Sequence, residues 1–246
     1  MSQEARVAVK VWDLPVRLFH WILFLLLVFQ LVSGKIGGSL MKWHVYSGYG
    51  VLVLIVFRIF WGFAGSTHAR FASFLKGPAA GLRFASRLLS RRAVPQVGYN
   101  PLGGWMVVAL LISLALQAAS GLFANDSFET AGPLAALVSL EASDRLSLFH
   151  RWNFKVLLGL AGVHIAASLY HWLAMKDDLI VAMFTGVKRV PGAAARERRG
   201  VHRDDPPRRV AARENASVYF ASSWRALALF LVALAIVYLI VEGPLL

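Results

Sequence analysis

The sequence predicts an all-α membrane protein in which a four-helix transmembrane bundle is followed by a fifth, C-terminal transmembrane helix. Of the 246 residues, 58% are hydrophobic and only 16% are charged, with a mean hydropathy of +0.60; a soluble domain carries roughly a quarter charged residues. Five stretches are long and apolar enough to cross a hydrocarbon core about 30 Å thick. The composition excludes the ordinary soluble classes. The absence of cysteine excludes disulfides, thiolate catalysis, iron–sulfur clusters and c-type haem attachment.

Each of the five stretches is predicted to be a helix, because the apolar runs are continuous and lack the alternation of a membrane barrel. The predicted spans cover about 14–33, 44–64, 102–124, 148–174 and 224–241. The first span is too long for a cleavable signal peptide and no small-residue cleavage site follows it. We expect a four-helix core over 1–188, a basic cytoplasmic linker over 189–223 and the additional helix within 224–246. No internal sequence repeat is predicted.

Basic residues between the spans predict the orientation, because cytoplasmic loops carry an excess of Lys and Arg. The loop 65–101 contains six basic and no acidic residues: Arg70, Lys76, Arg83, Arg87, Arg91 and Arg92. The segment 175–223 contains ten, among them Arg196, Arg198, Arg199, Arg208 and Arg209. The N-terminus is therefore expected in the cytoplasm and the C-terminus on the opposite side. The net charge of +13 is explained by topology, and no nucleic-acid partner is expected, because no soluble domain presents a basic face.

Histidines inside the spans are the main functional signal, since ionisable groups there are costly. Five of the seven histidines lie in three spans: His20, His44, His150, His164 and His171. In the fourth span, steps of 14 and 7 residues return the last three to one helix face. Fourteen residues correspond to roughly 21 Å of rise. That distance is too long for two ligands of one metal ion but suits one ligand on each of two stacked cofactors.

Histidines at matching depths would face each other as two pairs, His44 with His150 and His20 with His164. A neutral imidazole on either side of a planar macrocycle is bis-His haem ligation, and such sites form between facing helices of bundles. A single histidine in a span is usually a hydrogen-bonded packing residue, but two depth-matched pairs favour a haem-binding bundle. Three nearby basic side chains are either interfacial anchors or partners of haem propionates: Arg17, Arg58 and Lys155.

The segments around these histidines also carry a family resemblance. WDLPVRLFHW, KWHVYSGYGVLVLIVFRIFWGF and FHRWNFKVLLGLAGVH, with NPLGGW and GLFAND beside the third span, resemble the bacterial cytochrome b561 family, which includes the cytochrome b subunits of nickel–iron hydrogenases. The resemblance covers about residues 9–190. It implies two haem b groups with bis-His iron, the inner one held by His20 and His164 and the outer one by His44 and His150. It also implies a location in the bacterial inner (cytoplasmic) membrane, with the C-terminus periplasmic.

The predicted function is transfer of electrons across the membrane between the quinone pool, ubiquinone or menaquinone, and a periplasmic redox partner. His171 is predicted to contact the quinone or a propionate, together with Arg17 or Arg58, or else to be an ordinary interfacial histidine. The outer loop 124–148 is acidic and could dock a basic partner such as a c-type cytochrome. Its acidic residues are Asp126, Glu129, Glu141 and Asp144.

Three alternatives remain open at this point. The chain could be the cytochrome b subunit of a hydrogenase or another dehydrogenase complex. It could be a superoxide:quinone oxidoreductase, for which Lys42, Arg151 and Lys155 would attract the anion. It could also be a transporter that uses the histidines as a relay or as metal ligands, although that function leaves the 14-residue spacing unexplained.

Overall fold

The computed structural model describes residues 6–90, 96–126, 130–191 and 218–243. The basic residues expected in the middle of the linker lie outside the described residues, as does Glu129 of the acidic loop. Those linker residues are Arg196, Arg198, Arg199, Arg208 and Arg209.

The described ranges are mostly helical. The elements are, in chain order, β1 (Arg6–Lys10), α1 (Leu14–Ile36), α2 (Met41–Ala64), α3 (Phe71–Phe74), α4 (Pro78–Leu89), α5 (Pro101–Leu122), α6 (Leu140–Leu173), α7 (Leu179–Thr185), β2 (Val187–Pro191) and α8 (Ser223–Glu242). Short 3₁₀ turns, Gly38–Leu40 and Ala135–Leu137, precede α2 and α6. Helices α1, α2, α5, α6 and α8 are long and apolar enough to cross a membrane. The predicted all-α membrane class with five transmembrane helices is therefore confirmed.

Helix α6 begins at Leu140, two turns before the expected start of the fourth span at about residue 148. The hydroxyl of Ser139 accepts the Ala142 N–H at 3.2 Å and caps the helix. Farther along, the hydroxyl of Ser143 donates to the backbone oxygen of Phe123 at 2.7 Å. These polar bonds stabilise two helical turns that hydropathy alone does not indicate. Two residues expected in the acidic loop, Glu141 and Asp144, consequently lie on the helix.

The chain divides into two compact units. We call the described residues of 6–17, 61–107 and 163–223 the strand unit, and those of 18–60, 108–162 and 224–243 the helical unit.

In the strand unit, β1 pairs with β2 in an antiparallel ladder that runs from Arg6 opposite Pro191 to Lys10 opposite Val187. Val7 and Val9 of β1 are buried while Ala8 and Lys10 are exposed, as expected for a strand with one covered face. Gly186 ends α7 in the left-handed conformation, with φ of 80°, and its oxygen accepts the Val11 N–H at 2.8 Å. The strand β2 continues across the expected core boundary at residue 188.

Asp13 connects the start of α1 to the end of α2 within the strand unit. Its Oδ1 accepts the Val16 N–H at 2.8 Å, which is the usual N-cap bond. Its Oδ2 accepts the indole N–H of Trp61 at 3.0 Å. The C-terminal end of the expected linker is attached to the same unit, because the Thr67 N–H donates to the oxygen of Tyr219 at 2.9 Å.

In the helical unit, α8 has a narrow buried stripe of Ala226, Ala233, Val237 and Val241. Phe230 of α8 contacts Phe57 of α2, with ring centroids 6.1 Å apart. The fifth helix, for which the sequence predicts no role, thus packs against the second.

Candidate functional site

The structure brings His44 and His150 together in the helical unit. His44 lies in the first turn of α2 and His150 in the third turn of α6. Their ring centroids are 6.3 Å apart and the ring planes are inclined at 75°. Both rings are half-buried. This is the pair that the sequence predicts at one membrane surface.

The Nδ1 atom of each ring is held by the neighbouring helix. Nδ1 of His44 lies 3.2 Å from the backbone oxygen of Gln30 in α1. Nδ1 of His150 lies 2.9 Å from the backbone oxygen of Gln117 in α5. A carbonyl oxygen can only accept a hydrogen bond, so each Nδ1 carries the proton and donates it. In the neutral imidazole this tautomer leaves Nε2 with a free lone pair, which is the form that binds metal.

The other two predicted ligands belong to different units. His20 lies in the helical unit and is half-buried; its ring centroid is 5.1 Å from that of Trp21. His164 lies in the strand unit and is also half-buried; its backbone oxygen accepts the hydroxyl of Ser168 at 2.8 Å. The surface of α6 is open beside Gly159 and Gly162, because a Cβ built on either glycine would have no neighbour within 4 Å. The pairing of His20 with His164 remains a prediction from the sequence.

The predicted basic partners occupy three kinds of surroundings. Arg58 is almost completely buried in the helical unit. Arg17 lies in the strand unit, where its guanidinium donates to the backbone oxygen of Phe184. Lys155 is on the exposed side of α6, with Nζ 4.0 Å from the ring centroid of Trp152, in a cation–π contact.

His171 forms part of a buried ionic cluster in the strand unit. Its Nδ1 lies 3.4 Å from Oδ2 of Asp177, and Nζ of Lys188 lies 2.8 Å from Oδ1 of the same carboxylate. Nζ of Lys188 also donates to the backbone oxygen of Gln96 at 2.6 Å. The side chains of His171, Asp177 and Lys188 are 8%, 3% and 1% exposed. We call these three residues the ionic cluster.

The ionic cluster shifts the pKa values of its two charged members. Burial disfavours the charged carboxylate, but the hydrogen bond to His171 and the charge of Lys188 outweigh it and lower the pKa of Asp177. Burial lowers the pKa of Lys188, and the attraction to Asp177 opposes this only in part. Asp177 is therefore ionised at neutral pH and compensates the buried ammonium.

The described residues contain no group of three or more His, Cys, Asp or Glu side chains that could hold a metal ion. The histidines converge as a pair instead. Two protein ligands are sufficient for a metal whose other four positions are filled by a planar macrocycle. The donor set of His44 and His150 fits a haem, whose iron these two residues would hold.

The model of one protein family, prokaryotic cytochrome b561, matches residues 11–186. The chain belongs to this family. It is also 26% identical, over 219 aligned residues, to the probable Ni/Fe-hydrogenase B-type cytochrome subunit of Rhizobium leguminosarum bv. viciae; the match covers 74% of this chain and 89% of the relative. No solved structure matches the chain. As a cytochrome b561 family protein, it is a multi-pass membrane cytochrome b of electron transfer, and the family implies haem b.

The site of this cytochrome b561 family protein includes residues that the sequence does not predict. Gln30 and Gln117 hold the two histidines through their backbone oxygens, and Asp177 and Lys188 surround His171. A signal for the first two is present in the chain, because each begins the pattern Q-x-x-S-G near the end of a span. Asp177 and Lys188 lie in a segment whose basic residues indicate only topology.

Proposed function

We propose that the chain is a dihaem cytochrome b that transfers electrons across the membrane between the quinone pool and a redox partner. The observation that carries this proposal is the facing pair of His44 and His150. Each ring is fixed through Nδ1 and therefore keeps the Nε2 lone pair available. The ring centroids lie 6.3 Å apart, and these two imidazoles would hold the iron of a haem bound between them.

The second haem is proposed to lie between His20 and His164, on the strength of the spacing in the sequence and the family membership. Bound haem b supplies reversible one-electron transfer. The chain supplies the axial nitrogens, the half-buried surroundings and the hydrogen bonds that set how basic those nitrogens are. Arg17, Arg58 and Lys155 remain candidates for contacts with propionates.

The quinone is proposed to react within the strand unit, in the membrane orientation that places the N-terminus in the cytoplasm. Quinone chemistry at a haem couples electrons to protons and needs a titratable group near the ring. His171 is the candidate that the sequence predicts, and Asp177 lies 3.4 Å from its Nδ1, where it can orient the imidazole. Arg17 lies in the same unit.

The favoured partner is a hydrogenase or another dehydrogenase, because the relative from Rhizobium leguminosarum is named a hydrogenase subunit. A basic c-type cytochrome is the second candidate. The structure reduces the acidic charge available to dock it at Glu141, which is paired with Arg145 at 2.6 Å. Asp144 accepts a bond from the neutral amide of Asn125 at 3.1 Å and keeps its charge. Affinity purification from native membranes separates the two, because a dehydrogenase subunit would remain bound at high salt and an electrostatic complex would dissociate.

A reduced-minus-oxidised visible spectrum with haem quantitation tests the proposal. The purified protein should contain two haem b per chain. His44→Ala and His150→Ala should remove the same spectral component, and His20→Ala and His164→Ala the other. His68→Ala, which changes a histidine outside the spans, should leave both spectral components unchanged. Protein without haem, although produced with adequate haem supply, would contradict the proposal and favour the transporter alternative.

Quinol oxidation is tested separately. His171→Ala should retain both haems and slow their reduction by added quinol. A rate equal to that of the wild type would exclude His171 from the quinone site and leave the dihaem proposal unchanged.

A further inference from the structure

The two histidines of the facing pair are held by the same short arrangement of residues, once on α1 and α2 and once on α5 and α6. No repeat is predicted from the sequence, yet the structure shows one. The pattern on the supporting helix is Q-x-x-S-G, at Gln30 and again at Gln117. The pattern on the histidine helix is H-x-x followed by a small polar residue. We call each set of supporting residues a cradle.

The first cradle consists of Gln30, Ser33 and Gly34. The His44 Nδ1 lies 3.2 Å from the Gln30 oxygen and 3.2 Å from the Ser33 hydroxyl. The side-chain amide of Gln30 donates to the backbone oxygen of His44 at 2.8 Å and to the hydroxyl of Ser47 at 2.9 Å. Both the ring and the backbone of His44 are thus held by α1.

The second cradle consists of Gln117, Ser120 and Gly121. The His150 Nδ1 lies 2.9 Å from the Gln117 oxygen and 3.2 Å from the Ser120 hydroxyl. The side-chain oxygen of Gln117 accepts the amide of Asn153 at 2.7 Å. Asn153 follows His150 by three residues, as Ser47 follows His44. Five positions therefore correspond between the two cradles and their histidine helices.

The serine hydroxyls act as acceptors toward the rings. Ser33 donates its proton to the backbone oxygen of Phe29 at 2.7 Å, and Ser120 donates to that of Leu116 at 2.7 Å. A hydroxyl has one proton, so each oxygen is left to accept the Nδ1–H. Each of the two Nδ1–H groups is therefore shared between a carbonyl oxygen and a hydroxyl oxygen, and both acceptors favour the proton on Nδ1.

The glycines allow the rings to approach the supporting helices. A Cβ built on Gly34 would lie 2.9 Å from Cε1 of His44, and one on Gly121 would lie 3.0 Å from Cε1 of His150. Carbon atoms in van der Waals contact stay about 3.5–4.0 Å apart, so an alanine would displace either ring. Gly50, which lies on α2 with His44, is different, because a Cβ built on it would lie at an ordinary contact distance of 3.5 Å from Leu26.

We propose that the two cradles are equivalent half-sites whose serines and glycines position the axial imidazoles and tune the electron affinity of the iron between them. The proposal rests on the proposed function. A hydrogen bond accepted from Nδ1–H raises the basicity of the imidazole, and a more basic ligand favours the oxidised, more positively charged iron. Ser33 and Ser120 are positioning residues that lower the midpoint potential of this haem, each from its own side.

The test measures the midpoint potentials and the haem content of Ser33→Ala, Ser120→Ala and the double variant. We expect full haem content and a shift to more positive potential for the His44/His150 haem, of similar size in the two single variants and additive in the double one. The ferric low-spin resonance signal of the same haem should change. Ser→Thr at either position retains the hydroxyl and should restore the wild-type potential. Ser168→Ala is the matched control for this haem, because the hydroxyl of Ser168 likewise donates to the backbone oxygen four residues earlier but belongs to the strand unit.

The outcomes separate this inference from the function on which it rests. A wild-type protein without haem overturns the proposed function. Alanine variants with full haem and unchanged potentials overturn the inference alone. Loss of haem in the alanine variant with retention in the threonine variant supports the positioning role, whereas loss in both overturns the role of the hydroxyl.

A second comparison uses the glycines. Gly34→Ala and Gly121→Ala should each reduce the occupancy of the His44/His150 haem well below that of the other haem. Gly50→Ala should keep both. Equal occupancy in Gly34→Ala and Gly50→Ala would show that close approach of the ring to α1 is not required and would overturn this part of the inference.

Discussion

The facing histidine pair of the helical unit and the ionic cluster of the strand unit bury polar side chains in opposite ways. His44 and His150 are held by neutral hydrogen bonds to carbonyl and hydroxyl oxygens. In the cluster, Asp177 and Lys188 form an ion pair at 2.8 Å. The first arrangement satisfies one ring nitrogen and leaves the other available. The second satisfies opposite charges with each other.

The neutral hydrogen bonds of the histidine pair suit a site for a ligand, whereas the ion pair of Asp177 and Lys188 holds segments of the fold together. A neutral hydrogen bond costs little desolvation, so it can orient a ring without neutralising its lone pair. A buried ion pair requires both partners, because either charge alone would be strongly destabilising. The cluster joins the end of α6, strand β2 and the segment at Gln96. We therefore expect changes in the Asp177–Lys188 ion pair of the cluster to affect mainly stability, and changes in the cradles to affect mainly the haem.

Asp177→Ala should give the largest loss of stability. It removes the carboxylate that pairs with the buried ammonium of Lys188 and leaves the ammonium its hydrogen bond to the Gln96 oxygen, and breaking a buried pair from one side costs about 3–5 kcal/mol. Thermal denaturation of the detergent-solubilised protein should show a much lower midpoint. The double variant Asp177→Ala/Lys188→Met removes both charges and should recover part of the loss. A wild-type midpoint in Asp177→Ala would show that the cluster does not stabilise the fold.

Asn153→Ala should have a smaller effect, on the other side of the comparison. The side chain of Asn153 bonds Ser113 and Gln117, and the loss leaves buried polar groups unsatisfied at a cost of about 1–3 kcal/mol. Because Gln117 also holds His150, we expect a weaker affinity for the haem of this pair in addition to a lower denaturation midpoint. Asn153→Asp keeps an acceptor and tests whether the amide donor is required. A lower midpoint with normal haem affinity would show that Asn153 does not support the haem through Gln117.

Acid should weaken the strand unit through Asp177. Its pKa is lowered in the folded state, since the hydrogen bond to His171 and the charge of Lys188 outweigh burial. A lowered carboxyl pKa contributes stability above the unfolded value of about 3.9, and this contribution is lost as pH falls through the folded pKa. Burial lowers the pKa of Lys188, and the charges of Asp177 and Asp178 oppose this shift. The effect is felt at alkaline pH, where stability rises with pH until the pH reaches the pKa of an unfolded lysine, about 10.4.

Denaturation midpoints measured as the pH is lowered to below about 4 check this expectation. The wild type should lose stability over this range. Asp177→Asn should have a lower denaturation midpoint at neutral pH and should not show the part of the acid-dependent loss that is due to Asp177. Parallel curves for the two proteins would assign the acid sensitivity to other carboxylates.

Glu141→Gln should have the smallest effect. Glu141 and Arg145 form an i, i+4 pair at 2.6 Å with side chains about three-quarters exposed, and such pairs contribute less than about 1 kcal/mol. The denaturation midpoint should change little and the haem spectrum not at all. A loss comparable to that of Asp177→Ala would contradict the view that burial distinguishes the ionic cluster from a surface pair.

The sequence by itself determines the membrane class, the five helices and the positions of the histidines along them. Hydropathy is a local property, and the 3.6-residue period fixes which side chains of one helix share a face. The start of α6 is the exception, because Ser139 and Ser143 extend the helix by bonds that hydropathy does not register.

The tertiary structure alone decided which residues support those histidines. The contacts join residues that are distant in the chain: Gln30 and His44 are 14 residues apart, Gln117 and His150 are 33 apart, and Gln96 and Lys188 are 92 apart. Such contacts depend on the rotation and depth of each helix against its neighbour, and no periodicity within one helix contains that information. For this reason the histidines and the pairing of His44 with His150 can be predicted from the sequence, whereas the cradles and the ionic cluster required the packed helices.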